Sequence, residues 1–105
     1  MLLGLGPDGH TASLFPGTGA LQAQDRWVVE NYVKRLGEWR LTLTPELINV
    51  AGQVTFLVSG AQKAEVVREV LLGPRRPEEL PAQLITPARG TLLWMMDVPA
   101  GELLE

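Results

Sequence analysis

Apolar residues fall along this chain in strand-length runs separated by glycine and proline, which divide it into alternating strand-like and helix-like pieces. Met1 to Leu5 reads as a short apolar strand entering a glycine-rich turn at Gly4, Gly6 and Gly9. Thr11 or Ser13 is placed to cap a short helix beyond it, and Pro16-Gly17-Thr18-Gly19 marks the next turn. Trp27 to Val33 is β-branched and aromatic and predicts a second strand; Arg40 to Leu43 predicts a third. Thr44 then reads as an N-cap, with Pro45 at the first helical position where its missing N–H costs nothing, and predicts a helix to about Ala51. Gln53 to Ser59 is a near-continuous apolar run, as expected for a buried strand.

The next helix has the clearest periodicity. Ala64, Val67 and Leu71 recur at helical spacing, Val70 widens the apolar face, Glu65, Arg68 and Glu69 fall largely opposite, and Gly73-Pro74 stops it. Leu80 to Ile85 predicts a helical turn entered at Pro81, and Leu92 to Met96 a last strand, with Asp97 placed to cap a terminal helix over Ala100 to Leu104. This order predicts an α/β fold with a mostly parallel sheet, right-handed crossovers and flanking helices. No repeat or linker points to a second domain. Trp27, Trp39 and Trp94 read as core or sheet-packing residues, with Met95 and Met96 filling gaps.

Composition narrows the chemistry. The 105 residues are 46% hydrophobic and 20% charged, ordinary for a globular domain. A net charge of −3, with no basic cluster interleaved with aromatics, excludes general nucleic-acid binding; Arg75 and Arg76 read as a solvated pair. Apolar stretches are of strand length and the N-terminus carries no signal-type segment, so no membrane partner is expected and the expected location is cytoplasmic. There is no cysteine and one histidine, and no carboxylate pair has ligand spacing, so no metal is expected. A chain of this size buries only roughly two-thirds of its unfolded surface and has little stability in reserve.

The candidate chemistry is concentrated in Leu2 to Gly17, LLGLGPDGHTASLFPG. It places Asp8 and His10 just past a strand's carboxyl end, where open α/β sheets bind ligands. His10 has the pKa range of a general base. Asp8 either orients the imidazole through a hydrogen bond or ties the turn together. Gly6 and Gly9 shape the backbone, and their amides are candidate donors to an oxyanion or hydroxyl. Arg40 and Lys63 are candidate anion binders: guanidinium suits bidentate phosphate recognition, and Lys63 lies near a helix start.

The run Gly4 to Gly17 resembles the GxGxDGHTASLFPG signature of the 6-phosphogluconolactonases. Further segments match in the family's order: RLTLT at Arg40 to Thr44, FLVSGAQKA at Phe56 to Ala64, LPAQLI at Leu80 to Ile85, and LLWMMDVPA at Leu92 to Ala100. The resemblance implies hydrolysis of 6-phosphoglucono-δ-lactone in the oxidative branch of the pentose phosphate pathway, by a carboxylic ester hydrolase without a cofactor. It implies His10 as the base that activates water, an active-site role for Asp8, and phosphate-binding roles for Arg40 and Lys63. It covers the C-terminal half of the family's enzyme. Residues 1–105 are therefore expected to be the C-terminal portion of one α/β domain, without the N-terminal half that supplies a glycine/serine-rich loop and an Asp-Glu-Arg segment. The alternative is a catalytically incomplete half-domain, or one that forms a homo-oligomer over the missing half. A more distant one is a sugar-phosphate isomerase or deaminase of the same superfamily, but those continue with isoleucine after the histidine, where this chain has Thr11.

Overall fold

The computed structural model describes residues 1–104. A three-stranded parallel sheet is formed by β1 (Leu2–Leu3), β4 (Gln53–Val58) and β5 (Thr91–Met96), in the order β1-β4-β5. Leu3, Phe56 and Trp94 lie side by side across it, and the Phe56 and Trp94 rings stack at 4.1 Å. The core forms on this face, where Leu3, Val54, Phe56 and Val58 meet Leu5, Leu14, Ile48, Val67 and Ile85. Burying a side chain of this size contributes about 1.5–3 kcal/mol, so these positions carry much of the stability of a small domain.

The expectation of a mostly parallel sheet holds for these three strands, but β2 (Val28–Val33) and β3 (Glu38–Leu43) form a separate antiparallel hairpin. Lys34 to Gly37 joins them, with Gly37 left-handed at φ 63°. So short a link closes an antiparallel pair; a parallel pair needs a crossover of a dozen or more residues. Helix α1 (Pro45–Ile48) starts as expected, with the Thr44 hydroxyl accepting from the Leu47 amide at 3.1 Å. It stops short of Ala51 because the Asn49 side chain turns to the loop at Leu84 and Thr86, donating to one backbone carbonyl and accepting from the other residue's amide. Helix α2 (Ala64–Leu72) buries Ala64, Val66 and Val67, leaving Leu71 partly exposed at its margin.

Two further expectations are corrected. Trp27 and Trp39 are 57% and 66% exposed, Trp27 just ahead of β2 and Trp39 on β3, and only Trp94 packs against the core. Asp97 accepts from the Ala100 amide at 3.0 Å, but hydrogen-bonded turns follow rather than a helix. The same carboxylate also receives the Gly60 amide, which ties the end of β5 to the loop after β4.

The opposite face of the parallel sheet is bare. Leu2, Leu57, Leu93 and Met95 are exposed there, with Leu2 and Leu93 flanking Thr55, and Leu57 beside Met95. No described helix covers them, and contiguous apolar surface of this kind favours association. The chain on its own is therefore expected to self-associate in sedimentation velocity, and the Leu57→Lys, Leu93→Lys double variant to shift it towards monomer. A monodisperse monomer of the unsubstituted chain would contradict this.

Candidate active site

Because β1 and β4 are parallel neighbours, the loop leaving β1 and the loop leaving β4 emerge at the same end of the sheet. The first loop, Gly4 to His10, is folded by its own backbone. The Gly6 amide donates to the His10 carbonyl at 2.8 Å, and the Gly9 amide to the Gly6 carbonyl at 3.0 Å. Both donors expected to serve an oxyanion are thus used within the turn, and the glycines act through space and conformation. A Cβ on Gly6 would overlap the His10 ring, and Gly9 sits at φ 85° with Leu80 packed where its side chain would go. The expected helix after Thr11 is absent. Thr11 is buried with its hydroxyl donating to the Gly4 carbonyl at 2.8 Å, Ala12 takes φ 51°, and the Ser13 amide donates to the Thr42 hydroxyl at 3.1 Å on β3.

This loop brings Asp8 and His10 together. Oδ1 of Asp8 lies 2.6 Å from Nδ1 of His10 and also accepts the His10 amide at 3.1 Å; Oδ2 accepts from Arg35 Nη2 at 2.8 Å. Partial burial pushes the Asp8 carboxyl up, but hydrogen bonds from the His10 ring and amide and from Arg35 together outweigh it and hold the group below its usual value. An ionised carboxylate only accepts, so Nδ1 carries the proton of this bond, and the neutral ring keeps its lone pair on Nε2. One Asp8 side chain makes both contacts, to the His10 amide within the turn and to the His10 ring. Phe15 stacks on that ring at 4.1 Å and 21°.

His10 lines an open cleft of about 690 Å³ at the end of the sheet, with Gly6, Ala12, Ser59, Gln62 and Lys63. Lys63 comes from the short turn Ala61–Lys63 ahead of α2, and its Nζ donates to the Leu5 carbonyl, which aims it across the two loops. Arg40 is elsewhere. It lies over the Phe15 ring, 5.8 Å from its centre, and forks onto Glu38 at 2.9 and 3.1 Å rather than lining the cleft. Among the described residues no three metal-ligating side chains come together. Two contributors were not singled out in the sequence. Phe15 stood inside the quoted motif with no role, and Arg35 reaches Asp8 from 27 positions away, a contact set by the hairpin and by no local pattern.

The depressed Asp8 carboxyl ties stability to pH. Its contribution is present above the unfolded carboxyl value, about pH 3.9, and is lost as pH falls through the lower folded value. Asp8→Asn is expected to unfold with a shallower pH dependence than the parent below about pH 4 in urea titrations. Parallel curves for the two would contradict the pairing.

The family model for glucosamine-6-phosphate isomerases and 6-phosphogluconolactonase matches residues 1–94. A 6-phosphogluconolactonase of Synechocystis is 47% identical over 105 residues, covering 100% of this chain and 42% of that protein. The crystal structure of 6-phosphogluconolactonase from Leishmania guyanensis superposes with a TM-score of 0.81 at 34% identity, over 99% of this chain and 40% of that one. A monomeric glucosamine-6-phosphate deaminase superposes with a TM-score of 0.74 at 28% identity, over 98% and 46%. This chain thus spans about two-fifths of the length of the lactonases it matches. With the parallel sheet and the glycine-rich loop both in place, the chain belongs to the glucosamine-6-phosphate isomerase/6-phosphogluconolactonase family.

Proposed function

We propose that this site hydrolyses 6-phosphoglucono-δ-lactone to 6-phosphogluconate, the oxidative-branch step of the pentose phosphate pathway. The observation that carries the reading is the Asp8–His10 contact of 2.6 Å at the edge of a cleft that also holds Lys63. In the proposed reaction Nε2 of His10 takes a proton from a water, whose oxygen adds to the lactone carbonyl carbon. Collapse of the tetrahedral oxyanion breaks the bond to the ring oxygen, and the imidazolium returns the proton to that oxygen. Water is consumed and nothing is oxidised. Asp8 stabilises the imidazolium between the two transfers. No cofactor is required.

Lys63 is our candidate for the substrate phosphate. One of its three N–H bonds is held by the Leu5 carbonyl, leaving two for phosphate oxygens. Arg40 is a second candidate. Its pair with Glu38 is exposed, and exposed pairs contribute only about 0–1 kcal/mol, so a dianion can draw it away. We take the 105 residues as the C-terminal portion of one α/β domain; the share of its relatives' length and the bare sheet face both support this. No described helix is long and apolar enough to cross a membrane. We assign the activity to the cytoplasm, where a phosphorylated sugar is retained. The bare sheet face also favours one second reading, a half-domain that associates with another copy.

The test is the rate of the chain on freshly generated lactone against spontaneous hydrolysis. His10→Ala is expected to remove about 10²- to 10⁴-fold, and Lys63→Ala to act mainly on KM. A folded parent at the background rate, or a fully active His10→Ala, would sink the assignment.

A further inference from the structure

We propose that Arg35 is the positioning residue of this site: by gripping Oδ2 of Asp8 and lying over Phe15, it fixes the Asp8–His10 pair so that the imidazole presents Nε2 to the cleft. The Asp8 carboxylate can rotate about its Cβ–Cγ bond, and both bonds from His10, ring and amide, fall on Oδ1, so its own loop leaves Oδ2 without an anchor. The Arg35 bond to Oδ2, at 2.8 Å, supplies the second anchor. Arg35 also lies 5.6 Å from the centre of the Phe15 ring, which covers the face of the imidazole. The histidine is thus held at its edge by Asp8 and on its face by Phe15, and Arg35 touches both supports.

Stability does not account for this residue. The Arg35 side chain is 61% exposed, and an ion pair with one exposed partner contributes little to folding. Its placement matters instead for orientation, because a general base acts only within hydrogen-bond reach of the proton it takes. Arg35 sits in the turn Lys34–Leu36 at the tip of the β2–β3 hairpin, so the hairpin serves as the arm that delivers it.

Other charges surround the pair without duplicating the contact. Glu65, Arg68 and Glu69 of α2 share a shallow recess with Asp8, and Glu69 is engaged by Arg76. Arg40 lies over Phe15, and Lys63 lines the cleft with His10. Arg35 alone among these is bonded to the Asp8 carboxylate within the described residues.

The inference takes its chemical meaning from the lactonase reading, but its test needs no substrate. His10 is the only histidine, so its ring nitrogens give an unambiguous signal in the ¹⁵N-labelled chain. In Arg35→Gln, exchange of the Nδ1 proton is expected to quicken by about tenfold, the scale of one net hydrogen bond. The carboxyl carbon of Asp8 is expected to titrate at higher pH than in the parent, because a positive partner has been removed. Arg35→Lys keeps the charge and is expected to restore the Asp8 midpoint. Amide shifts away from the loop report that each variant is folded. A Gln variant that keeps the parent's ring exchange and Asp8 midpoint, or a Lys variant that fails to restore that midpoint, overturns the assignment. Inactivity on the lactone alongside the expected shifts would refute the lactonase reading and leave the positioning role standing.

Discussion

Two parallel pairings, Leu2 with Thr55 and Leu3 with Phe56, set the two loops that line the candidate cleft. They bring the carboxyl end of β1 beside that of β4, so the loop carrying His10 and the turn carrying Lys63 open onto one cleft. A two-residue strand is a small anchor, and it is reinforced on both sides. Leu3 and Leu5 enter the core, and Thr11 reaches back to the Gly4 carbonyl and closes the loop on its own strand. The loop can therefore hold Gly9 and Ala12 in left-handed conformations, because the surrounding contacts fix them.

Within that frame the electrostatics are economical. One carboxylate accepts from the imidazole, from the loop's own amide and from a guanidinium on a distant hairpin. Burial alone would push the Asp8 carboxyl up; the three donors outweigh it and hold the group below its usual value, so it is ionised. The ionised state in turn dictates which imidazole nitrogen carries the proton. The chemistry of the cleft follows from a hydrogen-bond count around a single side chain.

How much of this was legible in the sequence depended on whether a feature was local. The strand at Gln53, the Thr44-Pro45 helix start and the stop at Gly73-Pro74 are written in neighbouring residues, and the structure has them there. So is the pairing of Asp8 with His10, two positions apart on a glycine turn. The sequence of the hairpin reads as two separate strands of a mostly parallel sheet, because a period-two pattern does not say which strand it joins; the four-residue link at Lys34 to Gly37 decides it. Trp27 and Trp39 read as packing residues because an aromatic in a strand-like run reads alike on either face, and the structure leaves both exposed. The helix expected after Thr11 fails because the threonine side chain turns back to Gly4 instead of forward to an amide. Arg35 could not be found at all without the register that carries it to Asp8.

The most direct measurement of the central claim, that these two loops form one anion-accepting catalytic cleft, is a titration of 6-phosphogluconate into the ¹⁵N-labelled chain. The account expects saturable shifts concentrated in Gly4 to Ala12, the His10 ring and Ser59 to Lys63. Shifts that are absent, or that cluster instead around the separate recess lined by Val70, Arg75, Gln83 and Trp94, would contradict it.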